Sequence, residues 1–224
     1  IDKQIFNIKY IPNELIIQEK SGYSILRKKQ LYFLIKCSNN SYFHKHYDDG
    51  HFILFYKNIK FFTDAGKFNY EYKNINRGYV THSNSHNIFN LLLKQKPNKP
   101  LLYSNHLFGW AGNIEKGDRG SGLGSWKECK YFTELKNIDN NTIECKTNMF
   151  KNINYNRIFN FKENIIIIKD KIYINKINSE LELCSLLHIP ANINCIKKNE
   201  NSIILEHNSI QIKIEITSNN FNKY

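Results

Sequence analysis

Residues 44–48 read His-Lys-His-Tyr-Asp, and two further potential ligands follow: Asp64 in Thr63-Asp64-Ala65-Gly66, and His86 in Ser85-His86-Asn87. If 44–48 is extended, strand alternation sends His44, His46 and Asp48 to one face. Two imidazoles and a carboxylate gathered in space bind zinc and leave a coordination position open. The same residues can equally divide into a metal site and a separate catalytic histidine. His46, Asp64 and His86 together supply nitrogen and oxygen donors suited to Zn²⁺, with no cysteine nearby to close a thiolate site. Five of the eight histidines (44, 46, 51, 82 and 86) lie in this window, so His51 and His82 compete for the same ligand positions.

Positioning these groups is a question of strand register. Segments 52–56 and 59–63 flank Lys57-Asn58, which reads as a two-residue hairpin turn. That turn pairs Tyr56 with Ile59 and hence His51 with Asp64, which leaves Asp64 several residues from His46 and on the opposite face. Convergence requires a β-bulge or a bend at Asp48-Asp49-Gly50.

Short β-type segments dominate the rest of the chain. Residues 5–10, 14–18, 23–26 and 31–37 are divided by Pro-Asn, Ser-Gly and Arg-Lys-Lys punctuation. Residues 158–161 and 165–169 pair around Lys162-Glu163-Asn164, with 171–175 extending them. The last third adds 181–188, 193–197, 202–206 and 211–216. Residues 87–94 are the one brief helix candidate and read equally well as a strand. The glycine-rich run 117–124 lacks the Gly-Lys-Ser/Thr ending of a phosphate loop and reads as a surface loop. The fold class is therefore all-β, a large antiparallel β-sandwich forming one domain over residues 1–224.

Composition sets outer bounds. A chain of 224 residues, 41% hydrophobic, can bury a substantial core. The formal charge of +12 favours anionic partners, but the basic residues are spread lysines with arginine only at 27, 77, 119 and 157. No dense basic run or nucleic-acid-binding module is present, so nucleic acid is not an expected partner. Five cysteines (37, 129, 145, 184 and 195) without a Cys-x-x-Cys pair read as free thiols. No apolar run reaches membrane-spanning length. The chain starts at Ile1 and is expected to begin inside a longer protein.

The motifs carry a resemblance. His44 through Tyr56 (His-Lys-His-Tyr-Asp-Asp-Gly-His-Phe-Ile-Leu-Phe-Tyr), Phe62-Thr-Asp-Ala-Gly-Lys-Phe-Asn-Tyr70, Arg77-Gly-Tyr79 and Ser85-His-Asn87 resemble the C-terminal β-domain of heparinase II/III-like polysaccharide lyases. Gly22-Tyr-Ser-Ile-Leu-Arg27 resembles the strand ahead of the histidine motif. Asn156-Arg157 with residues 165–170 resembles a later arginine-bearing hairpin. The resemblance spans nearly the whole chain, and its specificity is concentrated in residues 44–87. Where the family has Ala-His-Asn-Thr, this chain has Ser85-His86-Asn87-Ile88.

The resemblance implies an N-terminal (α/α) toroid followed by this sandwich, with a glycan cleft between them. The toroid, which carries the family's catalytic tyrosine, is expected to lie outside this chain. By motif position His44 resembles the catalytic histidine, and His46, Asp64 and His86 resemble zinc ligands. Asp48 and Asn87 would orient the imidazoles, and Arg77 would either bind a substrate carboxylate or bond to backbone carbonyls of its loop. The implied chemistry is β-elimination on an acidic, uronate-containing polysaccharide, in a periplasmic or secreted setting, with zinc bracing the loop that presents His44. A non-catalytic glycan-binding or surface-polysaccharide assembly module of the same fold is the alternative. A metal-dependent hydrolase is a third reading, but it needs a carboxylate or water beside the metal that the sequence does not identify.

Overall fold

The computed structural model describes residues 14–38, 46–69, 74–81, 83–93, 96–100, 132–150, 153–174 and 181–217. The strand expected at 5–10, the glycine-rich run 117–124, Cys129, His44 and His82 fall outside these residues.

Among the described residues the chain is built from antiparallel strands. The first sheet runs in simple sequence order: β1 (Glu14–Gln18), β2 (Tyr23–Lys28), β3 (Leu31–Lys36), β4 (His51–Tyr56) and β5 (Ile59–Phe62). A short helix α1 (Ile75–Thr81) and a single 3-10 turn (Ser83–Ser85) lead into β6 (Phe89–Leu93) and β7 (Lys96–Pro100). A second sheet has the order β11-β10-β9-β8, from β8 (Thr133–Asp139), β9 (Thr142–Phe150), β10 (Ile153–Phe161) and β11 (Ile166–Ile174). β12 (Leu181–Ser185) pairs with β6, and β13 (Asn194–Asn199), β14 (Ser202–His207) and β15 (Ile210–Glu215) close the C-terminal side. The expected all-β sandwich is the observed architecture, and residues 87–94 resolve as the strand β6.

Alternation explains how the two large sheets meet. Every second residue of β10 from Ile153 to Phe161 is buried. Phe33 and Ile35 on β3, with Phe52 and Leu54 on β4, point to the same interior as Leu135, Ile143, Cys145, Phe159 and Phe161. The contact is aromatic. Phe33 stacks on Phe52 at 5.1 Å and takes the edges of Phe159 and Phe161 at 5.8 and 5.6 Å. Each such ring contributes about 1.5–3 kcal/mol by leaving water. Leu205 of β14 and Ile193 extend this core beneath the C-terminal sheet.

The Lys57-Asn58 turn takes positive φ at both positions (51° and 62°), the pattern of a type I′ hairpin. The register expected from it holds only for Tyr56–Ile59 and Phe55–Lys60. A bulge then slips the ladder by one, so that Leu54 faces Phe62. Phe61 and Phe62 are consequently both buried, and β5 ends before Asp64. Residues 46–50 also depart from expectation: they form a bend and a turn rather than a strand, and β4 begins at His51. Gly50 sits in that turn with φ +82°, and its N–H donates to the Lys36 carbonyl at 2.8 Å. A bulge and a bend, the two alternative devices for bringing these segments together, are both present.

Candidate metal centre

The site lies at the end of the first sheet where three connections meet: the 46–50 turn before β4, the 63–69 segment after β5, and the loop between α1 and β6. His86 is fully buried on the last of these and is the hub. Its Nδ1 lies 2.7 Å from Asp64 Oδ2, which the off-strand segment swings inward. The His46 ring stands 5.4 Å from the His86 ring on one side, and the His51 ring stands 5.4 Å away on another. Among the described residues two compact donor clusters result, His51-Asp64-His86 and His46-Asp48-His86; His86 belongs to both, while His46 and Asp64 of the expected trio fall in different ones.

Electrostatics separates the two carboxylates. Lys36 places its ammonium directly against Asp48 Oδ1, so that oxygen is already neutralised. Among the described residues no lysine or arginine pairs with Asp64. Burial raises the Asp64 carboxyl, but the hydrogen bond and positive potential from His86, with help from His51 and the Gly66 N–H, outweigh it and hold it at about 2. Burial pushes the His46 imidazole down to about 4 and His51 to about 3, with the neighbouring carboxylates opposing it. Both rings are neutral at physiological pH, the state in which imidazole binds a metal. The Nε2 atoms of His86 and His51 are buried without a hydrogen-bond partner. Orphaned nitrogens beside an ionised carboxylate fit a Zn²⁺ ion, which takes nitrogen and oxygen donors. The residues that could hold it are His86 with His46 and Asp48, or His86 with His51 and Asp64.

The surrounding scaffold is densely bonded. Asn87 donates through Nδ2 to the carbonyls of Phe52 and Thr63, both at 2.8 Å, and accepts at Oδ1 from the His188 N–H at 2.5 Å. It thus ties β4, the post-β5 segment and the residues after β12 to the backbone of its neighbour His86. Arg157, buried on β10, donates from Nη1 to the carbonyls of Gly50 and Asn87 at 3.1 and 2.7 Å. Sequence reasoning noted Arg157 only within a hairpin resemblance, and its carbonyl contacts depend on how two distant sheets pack. Arg77 is buried on α1 and donates from Nη1 to the Asn69 carbonyl, the backbone-bonding arrangement of its two alternatives. Tyr79 is exposed on the same helix.

Residues 13–91 match the family model described as Heparinase II/III-like, C-terminal. No curated protein sequence matches the chain. Among solved structures it is similar to the heparinase III-BT4657 gene product. With methylated lysines that structure has a TM-score of 0.61, 17% identity, and covers 88% of this chain; without them the TM-score is 0.60 at 16% identity over 87%. It is also similar to a mutant of the heparan sulfate lyase HepC from Pedobacter heparinus, with a TM-score of 0.59 and 18% identity over 89% of the chain. The chain spans only 27%, 27% and 28% of the length of these three structures. Among the described residues no helix is long and apolar enough to cross a membrane. Residues 13–91 therefore resemble a heparinase II/III-like C-terminal domain, and the described chain shares the β-sandwich fold of these structures.

Proposed function

We propose that this chain is the sandwich portion of a polysaccharide lyase that cleaves acidic, uronate-containing glycans by β-elimination. The observation that supports the reading is the gathering of His46, Asp48, His51, Asp64 and His86 into two donor groups that share His86, at the loop end of a heparinase-like sandwich.

In the reaction a base takes the proton from C5 of the uronate, which is acidic because it lies α to the carboxyl group. The C4–O bond breaks, the departing glycosidic oxygen is protonated, and a C4–C5 double bond remains. Charge developing on the carboxylate must be stabilised, and a histidine near neutrality can carry a proton in either direction. His44, two residues before His46, is the residue proposed for that transfer. A zinc ion held by His46, Asp64 and His86 would supply a rigid anchor for the segment that presents His44. Asp48, paired with Lys36, and Asn87, bonded to three segments, would keep the imidazoles in place. Arg77 bonds to its own loop and would support it.

The direct test is formation of unsaturated uronate, read as ultraviolet absorbance, by the complete protein with its N-terminal (α/α) domain on a panel of uronate glycans. Absorbance should rise in the wild type and vanish in His44→Ala with the fold intact. Undiminished product from His44→Ala would refute the catalytic assignment. Glycan binding with no unsaturated product from the wild type would instead identify a non-catalytic binding module.

A further inference from the structure

The outer face of the first sheet carries a row of side chains that the metal centre does not use. Register sets Arg27 of β2 beside Tyr32 of β3, Tyr32 beside Phe55 of β4, and Phe55 beside Lys60 of β5. Residues directly opposite each other share a face of the sheet. Their chain neighbours Leu26, Phe33, Leu54 and Phe61 turn into the core, so these four turn away from it. The row crosses β4 near its hairpin end, whereas His51 and the donor clusters lie at the opposite end of that strand.

Contacts within the row hold its charges in place. The Arg27 guanidinium stands 5.7 Å from the centre of the Tyr32 ring, and the Lys60 ammonium 5.3 Å from that of Phe55. Tyr32 and Phe55 meet edge to face at 5.9 Å. Each cation is thus kept near a ring, which reduces the freedom it must lose on binding. Three strand spacings, about 14 Å, separate the two positions. Beside them runs a second outward row, Ile16, Ile25, Leu34 and Ile53, each partly exposed. The result is an apolar strip with a cation at each end.

Charge selects what the strip can take. Residues 20–47 and 50–63 contain no Asp or Glu, and the two hairpin turns add Lys28, Lys29 and Lys57. Glu14 lies opposite Arg27 on β1, and Lys28 Nζ donates to the Glu163 carbonyl at 3.3 Å. Among the described residues neither Arg27 nor Lys60 forms an ion pair. A flat sheet face has no walls to enclose a compact ligand, but it accommodates an extended polymer.

We infer that this strip binds a linear anionic polysaccharide, Arg27 and Lys60 each taking an anionic group while sugar C–H faces lie on the apolar rows. The glycan class is that of the reading above, but the strip needs neither metal nor cleavage, so the two can fail separately.

The test is affinity electrophoresis of the whole chain through gels containing polygalacturonate, a polyuronate, or uncharged dextran. Wild type is compared with R27Q/K60Q and with K136Q/K213Q, a pair of exposed lysines bonded to Glu134 and Glu215. Thermal melts check folding, and Lys60→Gln alone, at an exposed position, serves if the double variant is unstable. Polygalacturonate should retard the wild type and dextran should not. Loss of two charge-assisted contacts should weaken binding about tenfold or more in R27Q/K60Q. Lys60→Gln should show part of that loss, and K136Q/K213Q should bind as the wild type does. An unretarded wild type would overturn the inference, as would equal losses in the two double variants. Retardation abolished by chelator would place binding at the metal centre instead. Competition by single-stranded DNA as strong as that by free polygalacturonate would make the strip a general polyanion surface and overturn the glycan assignment.

Discussion

Arg157 and Asp170 face each other across the β10–β11 ladder and are joined twice, Nε to Oδ1 at 2.7 Å and Nη2 to Oδ2 at 2.9 Å. The paired guanidinium is 1% exposed and still has Nη1 free to reach the carbonyls of Gly50 and Asn87. The second sheet thereby grips both the turn before β4 and the loop that carries His86. Tyr155 adds a hydrogen bond from its hydroxyl to Asp170 Oδ1 at 2.9 Å.

Breaking that pair should be costly. Asp170→Asn leaves a buried guanidinium without its counter-charge, for which about 3–5 kcal/mol is expected. Urea unfolding should show the loss as a lower midpoint with unchanged slope. A change below about 1 kcal/mol would mean that Arg157 is not the strut described here.

Asn87 should be as sensitive despite carrying no charge. Asn87→Ala removes both Nδ2 bonds and the acceptor for His188, leaving buried backbone groups unmet. At about 1–3 kcal/mol for each unsatisfied group, a total above about 2 kcal/mol is expected. Asn87→Asp should be no better, because it turns oxygen toward the Phe52 and Thr63 carbonyls. Melting of the two variants beside the wild type checks this, and a stable Asn87→Asp would contradict the assigned amide orientation.

Acid should destabilise the metal-free protein over a defined range. The folded-state values of about 4 for His46 and about 3 for His51 lie below the 6.5 expected of the unfolded chain. The unfolded state therefore binds more protons as pH falls, so their contribution is fully present above about pH 6.5 and is lost toward pH 3. Asp64, at about 2 against 3.8, acts in the same direction at lower pH. Burial lowers His188 as well and adds to the trend. Urea midpoints measured in chelator should fall from pH 6.5 to 4.5, with a slope approaching about two protons per molecule. A flat profile would contradict the buried, neutral imidazoles.

Two glycines with similar φ should differ in cost. Gly22 (φ +71°) has Cys37 O and Ser38 Cα at 2.2 and 2.5 Å from where a Cβ would sit, whereas Gly66 (φ +68°) has nothing within 4 Å. Gly22→Ala should cost about 3 kcal/mol or more, combining a left-handed backbone with overpacking. Gly66→Ala should cost only about 1–2 kcal/mol from the backbone alone. Equal melting temperatures for the two variants would contradict the close approach at Gly22.

Much of the sandwich was legible in the sequence because strand alternation and turn chemistry are local. Lys57-Asn58 specified its hairpin, and the Ile-rich run 165–169 specified a strand paired with 158–161. β8 and β9 were harder to see. Their inward residues, Leu135, Ile143, Cys145, Thr147 and Met149, are separated by Glu, Lys and Asn that dilute the apolar signal. Helix α1 was missed because Ile-Asn-Arg-Gly-Tyr-Val-Thr is poor in helix formers and has glycine at its centre. In the site, the residue types and spacing singled out His46, Asp64 and His86, but not that His86 is shared by one group with His46 and Asp48 and another with His51 and Asp64. The bulge that slips Leu54 onto Phe62 is a non-local choice, made so that Phe61 and Phe62 can both enter the core.

The measurement that bears most directly on this account is zinc content of the purified chain by inductively coupled plasma mass spectrometry, without chelator, alongside Asp64→Ala. One zinc per chain is expected in the wild type, falling to a small fraction in the variant. A wild type without zinc, or an Asp64→Ala protein retaining a full equivalent, would contradict a metal centre built on His46, Asp64 and His86.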